Sequence, residues 1–357
     1  MSLARAIEAA EQGCRLERRE ALALLTEAEL TTLGRLALAA RRRINPPNRV
    51  TYCVDRNINT SNICLSACRF CAFFRPPGHP EGYRLGRREL AQKIQETLEL
   101  GGTQILMQGG LDPEIGLEET CRTIAYIKDN FSIHVHALSP PEVVHMAQMA
   151  GLSIAETLGR LMEAGLDSMP GGGAEILVER VRALISPGKC SAQQWLEVMA
   201  TAHRLGLNTT ATMMFGHIET TEERLEHLFS LRRVQDQSLA AGRGRFTAFI
   251  PWTFQPGNTA LAEVTPATAV EYLRMLAVSR LVLDNFEHLQ ASWVTQGAKI
   301  AQVSLSFGAD DLGSTMIEEN VVAAAGVSHR LDAAELQRLA GDMGYQACQR
   351  NTFYQLV

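Results

Sequence analysis

The chain has 357 residues, of which 46% are hydrophobic and 20% charged, and its net charge is -5 at pH 7. This composition excludes a disordered chain and leaves room for a large core, while the absence of a basic stripe argues against nucleic acid as a partner. No apolar run is long enough to cross a bilayer and the first residues show no signal-peptide pattern, so we expect a cytoplasmic protein without a membrane span.

The predicted elements begin with helices over residues 2–43, where alanine, leucine, glutamate and arginine recur at helical spacing. Short apolar runs then alternate with longer amphipathic stretches. The runs predicted as strands are VTYCV, TQILMQ, IHVHAL, GLDSMP, NTTATMMF, RFTAFIPW, LQASWV and AQVSLSF. The helices predicted between them cover residues 87–100, 116–129, 141–149, 174–184, 220–237 and 265–284.

Eight strands that alternate with helices predict a parallel sheet, and such a repeat over roughly 250 to 300 residues has the size of a (β/α)8 barrel. A doubly wound α/β sheet is the alternative, although no GxGxxG follows the first strand. We therefore predict an N-terminal helical extension, residues 1–47, and an α/β TIM-type (β/α)8 barrel, residues 48–357. Its C-terminal tail, from about Asp332, is expected to be a helix with a short extension.

The segments that follow the predicted strands are rich in glycine, proline, amides, histidine and glutamate. In a parallel barrel these segments carry the chemistry. They read MQGG (107–110), HALSPPE (136–142), SMPGGGAE (168–175), MMFGHIE (213–219), FIPWTFQPGNT (249–259) and SWVTQG (292–297). Such a composition suits a floor of backbone amides and polar side chains around a sizeable ligand.

The segment CLSACRFC places Cys64, Cys68 and Cys71 within eight residues of a chain that has eight cysteines in all. Thiolates bind soft metals, and the chain lacks the cysteine density of a secreted scaffold, so this group indicates metal binding. Structural zinc needs a fourth ligand, for which His79 is the nearest candidate. A four-iron cluster on three cysteines would leave one iron open for a non-protein ligand, and the spacing favours this interpretation.

Two alternatives stay open for the three cysteines, a Cys3His zinc site and plain burial as small apolar side chains. The remaining cysteines are expected to be isolated thiols. They are Cys14, Cys53, Cys121, Cys190 and Cys348.

A CxxxCxxC motif after an early strand of a βα barrel resembles the radical S-adenosylmethionine (radical SAM) superfamily. The resemblance implies a radical SAM barrel with a 4Fe-4S cluster on the three cysteines and S-adenosyl-L-methionine on the fourth iron. It further implies contacts to S-adenosylmethionine from Phe70, Gln108, Gly109 and Gly110, although the usual GGE-type carboxylate is absent after the two glycines. Glu175 is a candidate for binding the ribose of S-adenosylmethionine, or else an acid that complements a helix dipole.

An ordered set of segments from about Val50 to Val357 resembles the cyclic dehypoxanthine futalosine synthases of the futalosine pathway of menaquinone biosynthesis. Thr60 and Phe74 depart from the tyrosines that are usual there. Aminofutalosine synthase and F0 synthase share several segments and remain alternatives, as does a non-catalytic iron–sulfur or zinc sensor. The segments are DRNINTSNIC, CAFFR, GGTQILMQGG, HVHALSPPE, SMPGGGAEILVERVR, TATMMFGHIE, FIPWTFQPGNT, QASWVTQG and STMIEENVV.

This resemblance implies an oxidoreductase in which a 5'-deoxyadenosyl radical takes the C4' hydrogen from the ribose of dehypoxanthine futalosine. The substrate radical then attacks the benzoate ring, and loss of an electron and a proton restores aromaticity. The implied partners are this small-molecule substrate and a reductant such as flavodoxin or ferredoxin.

A base for the last proton and contacts to the substrate are sought at the strand ends. His217 and Glu219 are preferred as the base, with a structural pair as the alternative. Glu142, Asn258 and Gln296 are the other candidates, although Glu142 could simply open its helix and Asn258 could shape a turn.

Overall fold

The computed structural model describes residues 2–357. In chain order, its strands are β1 (Arg49–Cys53), β2 (Asp55–Asn59), β3 (Gln104–Gln108), β4 (His134–Ala137), β5 (Ser168–Met169), β6 (Asn208–Phe215), β7 (Phe246–Thr253), β8 (His288–Leu289), β9 (Asp311–Ser314) and β10 (Gln346–Gln349). Its α-helices are α1 (Leu3–Gln12), α2 (Arg18–Glu27), α3 (Leu30–Ile44), α4 (Arg87–Glu99), α5 (Leu117–Asn130), α6 (Pro140–Ala150), α7 (Ile154–Glu163), α8 (Glu179–Ile185), α9 (Ala192–Leu205), α10 (Thr221–Ala241), α11 (Ala269–Val282), α12 (Trp293–Ser304) and α13 (Ala333–Asp342).

Strands β2 to β8 form a parallel sheet in chain order, with helices between all consecutive strands. The register pairs Asp55 with Gln104 and Asn59 with Gln108, so β2 and β3 end at the same level. The sheet curls into a half-barrel of seven strands, which confirms the predicted α/β TIM-type fold class. The predicted number of eight barrel strands was wrong by one.

The first predicted strand, VTYCV, belongs to a second sheet and not to the barrel. There β1 lies between β10 and β9, and all three strands run parallel. A single bridge from Gln290 to Asp311 connects this sheet to the end of β8, while Ser314 donates a hydrogen bond to Asp55 at the start of β2. The small sheet therefore lies between the two edge strands of the half-barrel.

Other predicted elements also need correction. The run AQVSLSF lies mostly in α12 and is not a strand, because Ala301 and Ser304 continue the buried face of that helix. The helix predicted over 174–184 begins only at Glu179, since residues 173–178 form a loop. Helices α7 and α9 were not predicted, whereas the predictions for 87–100, 116–129, 141–149, 220–237 and 265–284 correspond to α4, α5, α6, α10 and α11.

Four outer helices begin with a capping box, in which a serine or threonine accepts a hydrogen bond from the third helical residue and that residue returns one. This local signal fixes where the chain turns from loop to helix at the rim of the barrel. The pairs are Ser153–Glu156, Ser191–Gln194, Thr220–Glu223 and Thr268–Glu271.

The N-terminal helices pack on the outside of the barrel, α3 against α11 and α2 against both α10 and α11. The buried Arg41 of α3 donates to the carbonyls of Arg49 at 2.8 Å and Leu305 at 3.2 Å. Arg274 of α11 donates to the carbonyl of Ala28 at 2.6 Å, just after α2 ends. These bonds attach the extension to the barrel. Among the described helices, none has the length and apolarity that a membrane crossing requires.

A buried ion pair joins α11 to the residue that precedes β9 and gives a test of the fold. Asp310 accepts from Arg280 and from Leu289 N, the latter at 2.7 Å, and both members of the ion pair are almost fully buried. We expect Asp310→Ala to lower the free energy of unfolding by about 3 to 5 kcal/mol, because it leaves a buried guanidinium unpaired. Urea unfolding of the cluster-free protein measures this.

The matched control is Asp342→Ala, which removes an exposed carboxylate 2.8 Å from Arg338. Its expected cost is below about 1 kcal/mol, since exposed ion pairs contribute little. Equal losses for the two variants would contradict the proposed role of the buried pair.

Candidate active site

The half-barrel contains an inner cavity of about 280 Å³, whose lining extends from Asp55 and Gln104 at the beginnings of β2 and β3 to Gln108 at the end of β3. Asp55 and Asn57 of β2 and Gln104, Leu106 and Gln108 of β3 line it. These residues alternate along each strand, so they share the face that points into the barrel. Further lining comes from His136, Glu175, Thr210, Thr212, Ile250, Trp252, Ser314, Arg350 and Tyr354.

The cysteine loop, residues 64–71, lies against the backbone that follows β3. Leu111 N donates to Cys64 Sγ at 3.2 Å, and Leu65 N donates to Leu111 O at 3.0 Å. Ser66 Oγ lies 3.0 Å from Cys68 Sγ. Donors directed at the sulfurs stabilise thiolates and favour metal binding.

Burial raises the pKa of Cys68 to about 11, partly opposed by the charge of Lys189, and it also raises the pKa of Cys71. Backbone amides of Phe74 and Phe73 act against this shift at Cys71. Buried thiols of this kind are inert until a metal displaces their protons. Three cysteines on one loop, each with a hydrogen-bond partner at its sulfur, fit an iron–sulfur cluster.

A single-zinc site is not supported by the geometry. Within residues 2–357, no three His, Cys, Asp or Glu side chains converge closely enough to hold one metal ion. His79 instead accepts a hydrogen bond from Glu81 N at 3.1 Å. In a four-iron cluster each cysteine binds a different iron, so the cysteine sulfurs lie farther apart than the cysteine sulfurs around one zinc ion.

Gly109 and Gly110 follow β3, and Gly110 packs against Cys64 at the start of the cysteine loop. A Cβ on Gly110 would lie 2.8 Å from Cys64 Cβ, so only glycine permits this close approach. Gly109 N donates to Glu142 Oε1 at 2.9 Å, and Ser139 Oγ donates to Glu142 Oε2 at 2.6 Å. Glu142, in the first turn of α6, thus brings a buried carboxylate to the two glycines, although the sequence has none directly after them.

Behind these glycines lies an outer cavity of about 420 Å³ between α4, α5 and α6. Gln108 lines both cavities, while Glu142 lines only the outer one.

Glu175 lines the inner cavity and has a positive φ of 42°, an unusual conformation for a residue other than glycine. Lys189 Nζ donates to Glu175 Oε1 at 2.6 Å, whereas the buried Oε2 has no hydrogen-bond partner within the described chain. Because α8 begins only at Glu179, the alternative of an acid in the first turn of a helix is wrong.

Lys189 is a site residue that sequence reasoning missed. Burial would lower the pKa of Lys189, but the charges of Cys68 and Glu175 raise it, so the ammonium stays protonated. Its Nζ also lies 5.0 Å from the centre of the Phe70 ring. A single lysine between α8 and α9 gives no sequence signal for this position.

His217 and Glu219 line neither cavity. Glu219 accepts from Gly216 N at 2.6 Å and from Arg224 Nε at 2.8 Å, and its Oε2 lies 2.9 Å from His217 Nδ1. Burial acts to raise the pKa of Glu219, but His217 and Arg224 lower it to about 2. Both side chains therefore hold the loop after β6, which is the structural alternative and not the preferred catalytic one.

Asn258 and Gln296 also lie outside the cavity lining. Asn258 is exposed with a φ of 57°, and its Nδ2 donates to Ala324 O at 2.9 Å, so it shapes a turn. Gln296 donates to Thr253 Oγ1 at 2.6 Å and thereby connects α12 to the end of β7.

Comparison with known proteins adds two family matches and several close relatives. A model described as "Radical SAM superfamily" matches residues 58–231, and one described as "CofH/MqnC C-terminal region" matches residues 243–357. A cyclic dehypoxanthine futalosine synthase of Halalkalibacterium halodurans is 42% identical over 100% of this chain and 95% of the relative. The enzyme of that name in Streptomyces coelicolor is 45% identical over 98% of this chain and 87% of the relative.

A 5-amino-6-(D-ribitylamino)uracil–L-tyrosine 4-hydroxyphenyl transferase of Methanoculleus marisnigri is 39% identical over 97% of this chain and 95% of the relative. Among solved structures, methylornithine synthase (PylB) has a TM-score of 0.74 at 17% identity and covers 96% of this chain and 97% of its own. The FeFe-hydrogenase maturase HydG of Carboxydothermus hydrogenoformans has a TM-score of 0.75 at 16% identity, covering 99% and 80%. These two likenesses show the fold alone.

The carboxyl group of Glu142 predicts a pH dependence of stability. Burial raises the pKa of this carboxyl from an ordinary value of 4.5 to about 7. Between these two pH values the folded protein therefore keeps a proton on Glu142 that the unfolded chain has released. The free energy of unfolding contributed by this group therefore falls as pH rises from 4.5 to about 7. Glu142→Gln, which is neutral throughout, removes this slope.

Urea unfolding of both proteins between pH 5 and 8 checks the prediction. We expect the variant to gain stability relative to the wild type as pH increases. A constant difference between the two proteins over this range would contradict it.

Proposed function

Because the chain belongs to the radical SAM superfamily, and within it to the family of the cyclic dehypoxanthine futalosine synthases, we propose that it cyclises dehypoxanthine futalosine in menaquinone biosynthesis. The observation that carries this proposal is 42% and 45% identity to two such enzymes over 100% and 98% of the chain. The inner cavity supports it, since a small substrate fits there and its lining residue Glu175 binds Lys189, whose charge acts on Cys68 of the cysteine loop.

The enzyme uses a 4Fe-4S cluster and S-adenosyl-L-methionine, as the radical SAM superfamily does. When bound, these cofactors supply a carbon radical that removes the C4' hydrogen of the substrate ribose. We assign the cluster to Cys64, Cys68 and Cys71, because Leu111 N already donates to one of their sulfurs at 3.2 Å. Hydrogen bonds to the sulfurs also tune the reduction potential of such a cluster.

The cofactor contacts in this proposal come from residues around the cysteine loop. Glu175 Oε2 lacks a hydrogen-bond partner within the described residues, with Arg182 Nη1 3.8 Å away, and would accept from ribose hydroxyls, while Lys189 holds the other oxygen. Phe70 offers an aromatic face to the adenine. Gln108, Gly109 and Gly110 are assigned to the methionine part, and Glu142, which accepts from Gly109 N at 2.9 Å, acts as a positioning residue.

The substrate itself is assigned to the inner cavity. Leu106, Ile250 and Trp252 form an apolar part of its wall, against which an aromatic ring can pack. A bound substrate displaces water from the cavity, which protects a reactive substrate radical from side reactions. The chain therefore provides positioning and shielding.

We assign the acceptance of the final proton to Asp55 instead of His217 or Glu219. Asp55 lines the inner cavity, and burial raises the pKa of its carboxyl, which makes the carboxylate a stronger base. Hydrogen bonds from Ser314 and Gln104 hold it in place. His136 is less suited, because burial lowers its pKa to about 3.

A second candidate function is the coupling of L-tyrosine to 5-amino-6-(D-ribitylamino)uracil, the activity in the name of a relative that is 39% identical over 97% of this chain. The higher identity to both cyclising enzymes ranks it below the main proposal.

The proposal has three further parts. Residues 1–47 form a helical extension to a catalytic barrel of residues 48–357. Flavodoxin or ferredoxin reduces the cluster, and the protein acts in the cytoplasm.

The substrate preference of the anaerobically reconstituted protein tests the function. With S-adenosylmethionine, reductant and dehypoxanthine futalosine, we expect 5'-deoxyadenosine and the cyclised product by mass spectrometry. With the ribitylaminouracil and tyrosine, we expect no coupled product. Cys68→Ser is the control and should lose cluster iron and both products, because a cluster ligand is missing. The reverse substrate preference would assign the chain to the transferases.

The role of Asp55 is tested separately. Asp55→Asn should keep its hydrogen-bonded place while losing the ability to accept a proton, so cyclised product should fall about 100-fold or more. Formation of 5'-deoxyadenosine should continue, since it precedes the proton loss. Quantification of both products measures this, with Glu219→Gln as a comparison. Normal cyclisation by Asp55→Asn would remove the assignment.

A further inference from the structure

The floor of the inner cavity is built by the C-terminal segment that follows β10. Arg350, Thr352 and Tyr354 all line the cavity, opposite Asp55 and Gln104 at the beginnings of β2 and β3. Thr352 donates its hydroxyl hydrogen to Gln104 Oε1, so it has no donor left. Arg350 and Tyr354, in contrast, keep donors that no group of the described chain uses.

Arg350 has donors that its protein partners do not use. Its Nε donates to Asp311 Oδ2 at 2.5 Å, its Nη2 to Asp311 Oδ1 at 2.9 Å and its Nη1 to Asn351 O at 3.1 Å. A guanidinium group has five N–H donors, so two remain free. Over the described residues, Arg350 is also the only arginine or lysine that lines the inner cavity.

Tyr354 supplies a further unused donor. Its buried hydroxyl has no hydrogen-bond partner within residues 2–357. The ring is fixed, because it stacks on His288 with centroids 3.5 Å apart and lies 3.9 Å from the guanidinium carbon of Arg350. Burial raises the pKa of the phenol well above its ordinary value, so it keeps its proton and can donate.

The backbone of Tyr354 has a φ of 62°, which is strained for a residue with a side chain. Strain of this kind persists where the surrounding structure enforces it, and it clusters at ligand sites. Three unused donors beside the Tyr354 ring suit a ligand group with several hydrogen-bond acceptors. A carboxylate is such a group, with two oxygens and about four acceptor positions.

We propose that Arg350 and Tyr354 bind the benzoate carboxylate of the substrate at the floor of the inner cavity. This inference rests on the proposed function, which supplies a substrate with one aromatic carboxylate. Asp311 neutralises most of the charge of Arg350, so the site acts through directed hydrogen bonds more than through net charge. The ring then packs against the apolar wall above, where Leu106, Ile250 and Trp252 lie.

The nearby carboxylate of Asp55 repels a second carboxylate in the same cavity, and this repulsion changes the pKa of Asp55. A bound anion raises the pKa of a neighbouring carboxyl. The substrate would therefore make the assigned base stronger as it binds. The cost of this repulsion is offset by the three donors, two from Arg350 and one from Tyr354.

Calorimetric titration of the reconstituted enzyme without reductant tests the site independently of turnover. The probes are dehypoxanthine futalosine and its analogue with hydrogen in place of the carboxylate. We expect Tyr354→Phe to weaken binding of the substrate about tenfold, because a hydrogen bond to a charged group is lost. Binding of the analogue should be unchanged. Tyr345→Phe is the matched control, since Tyr345 lies outside the cavity lining and packs on Arg41.

The inference is overturned if Tyr354→Phe binds both probes as the wild type does, or weakens both equally. A wild-type enzyme that binds the carboxylate probe tightly but forms no cyclised product would refute the proposed function and leave the carboxylate site standing.

Discussion

The contact between the cysteine loop and the backbone of Gly110 and Leu111 is the constraint on which the site depends. Strands β2 and β3 end at the same level, so the segments that follow them meet. Without a side chain at Gly110, Leu111 N reaches Cys64 Sγ. Glu142 fixes the adjacent Gly109 from the next strand–helix connection. The sheet register thus places the three cysteines, and the hydrogen bonds of the loops preserve that placement.

Buried charges organise both ends of the inner cavity. Near the cysteine loop, Lys189 pairs with Glu175, and one carboxylate oxygen is left to accept a hydrogen bond. At the floor, Asp311 pairs with Arg350, and donors are left over. Each ion pair is neutral overall, which limits the cost of burial, while the unused atoms specify what a ligand must supply.

The repeating rhythm of strands and helices could be predicted from the sequence, because buried parallel strands are apolar and their helices amphipathic. Strand β2 escaped prediction because Asp55, Asn57 and Asn59 are polar and resemble a loop. The cysteine motif is local, so it could be recognised in the sequence. The site roles of Lys189 and Tyr354 could not be predicted, since only the tertiary fold brings these residues to the cavity. His217 and Glu219 follow a strand, yet their loop folds back so that they bind each other.

The donors at the floor of the inner cavity give a bound substrate one favoured direction. Arg350 and Tyr354 suit a carboxylate there, whereas the acceptor at Glu175, near the cysteine loop, suits the ribose hydroxyls of S-adenosylmethionine. A substrate with a ribose at one end and a benzoate at the other therefore pairs these donors only with its sugar towards the cysteines. The hydrogen to be removed then lies on the side of the cysteine loop, and the ring lies beside Asp55. Because reversal would leave the donors of Arg350 and Tyr354 unpaired, the fold itself selects the productive orientation.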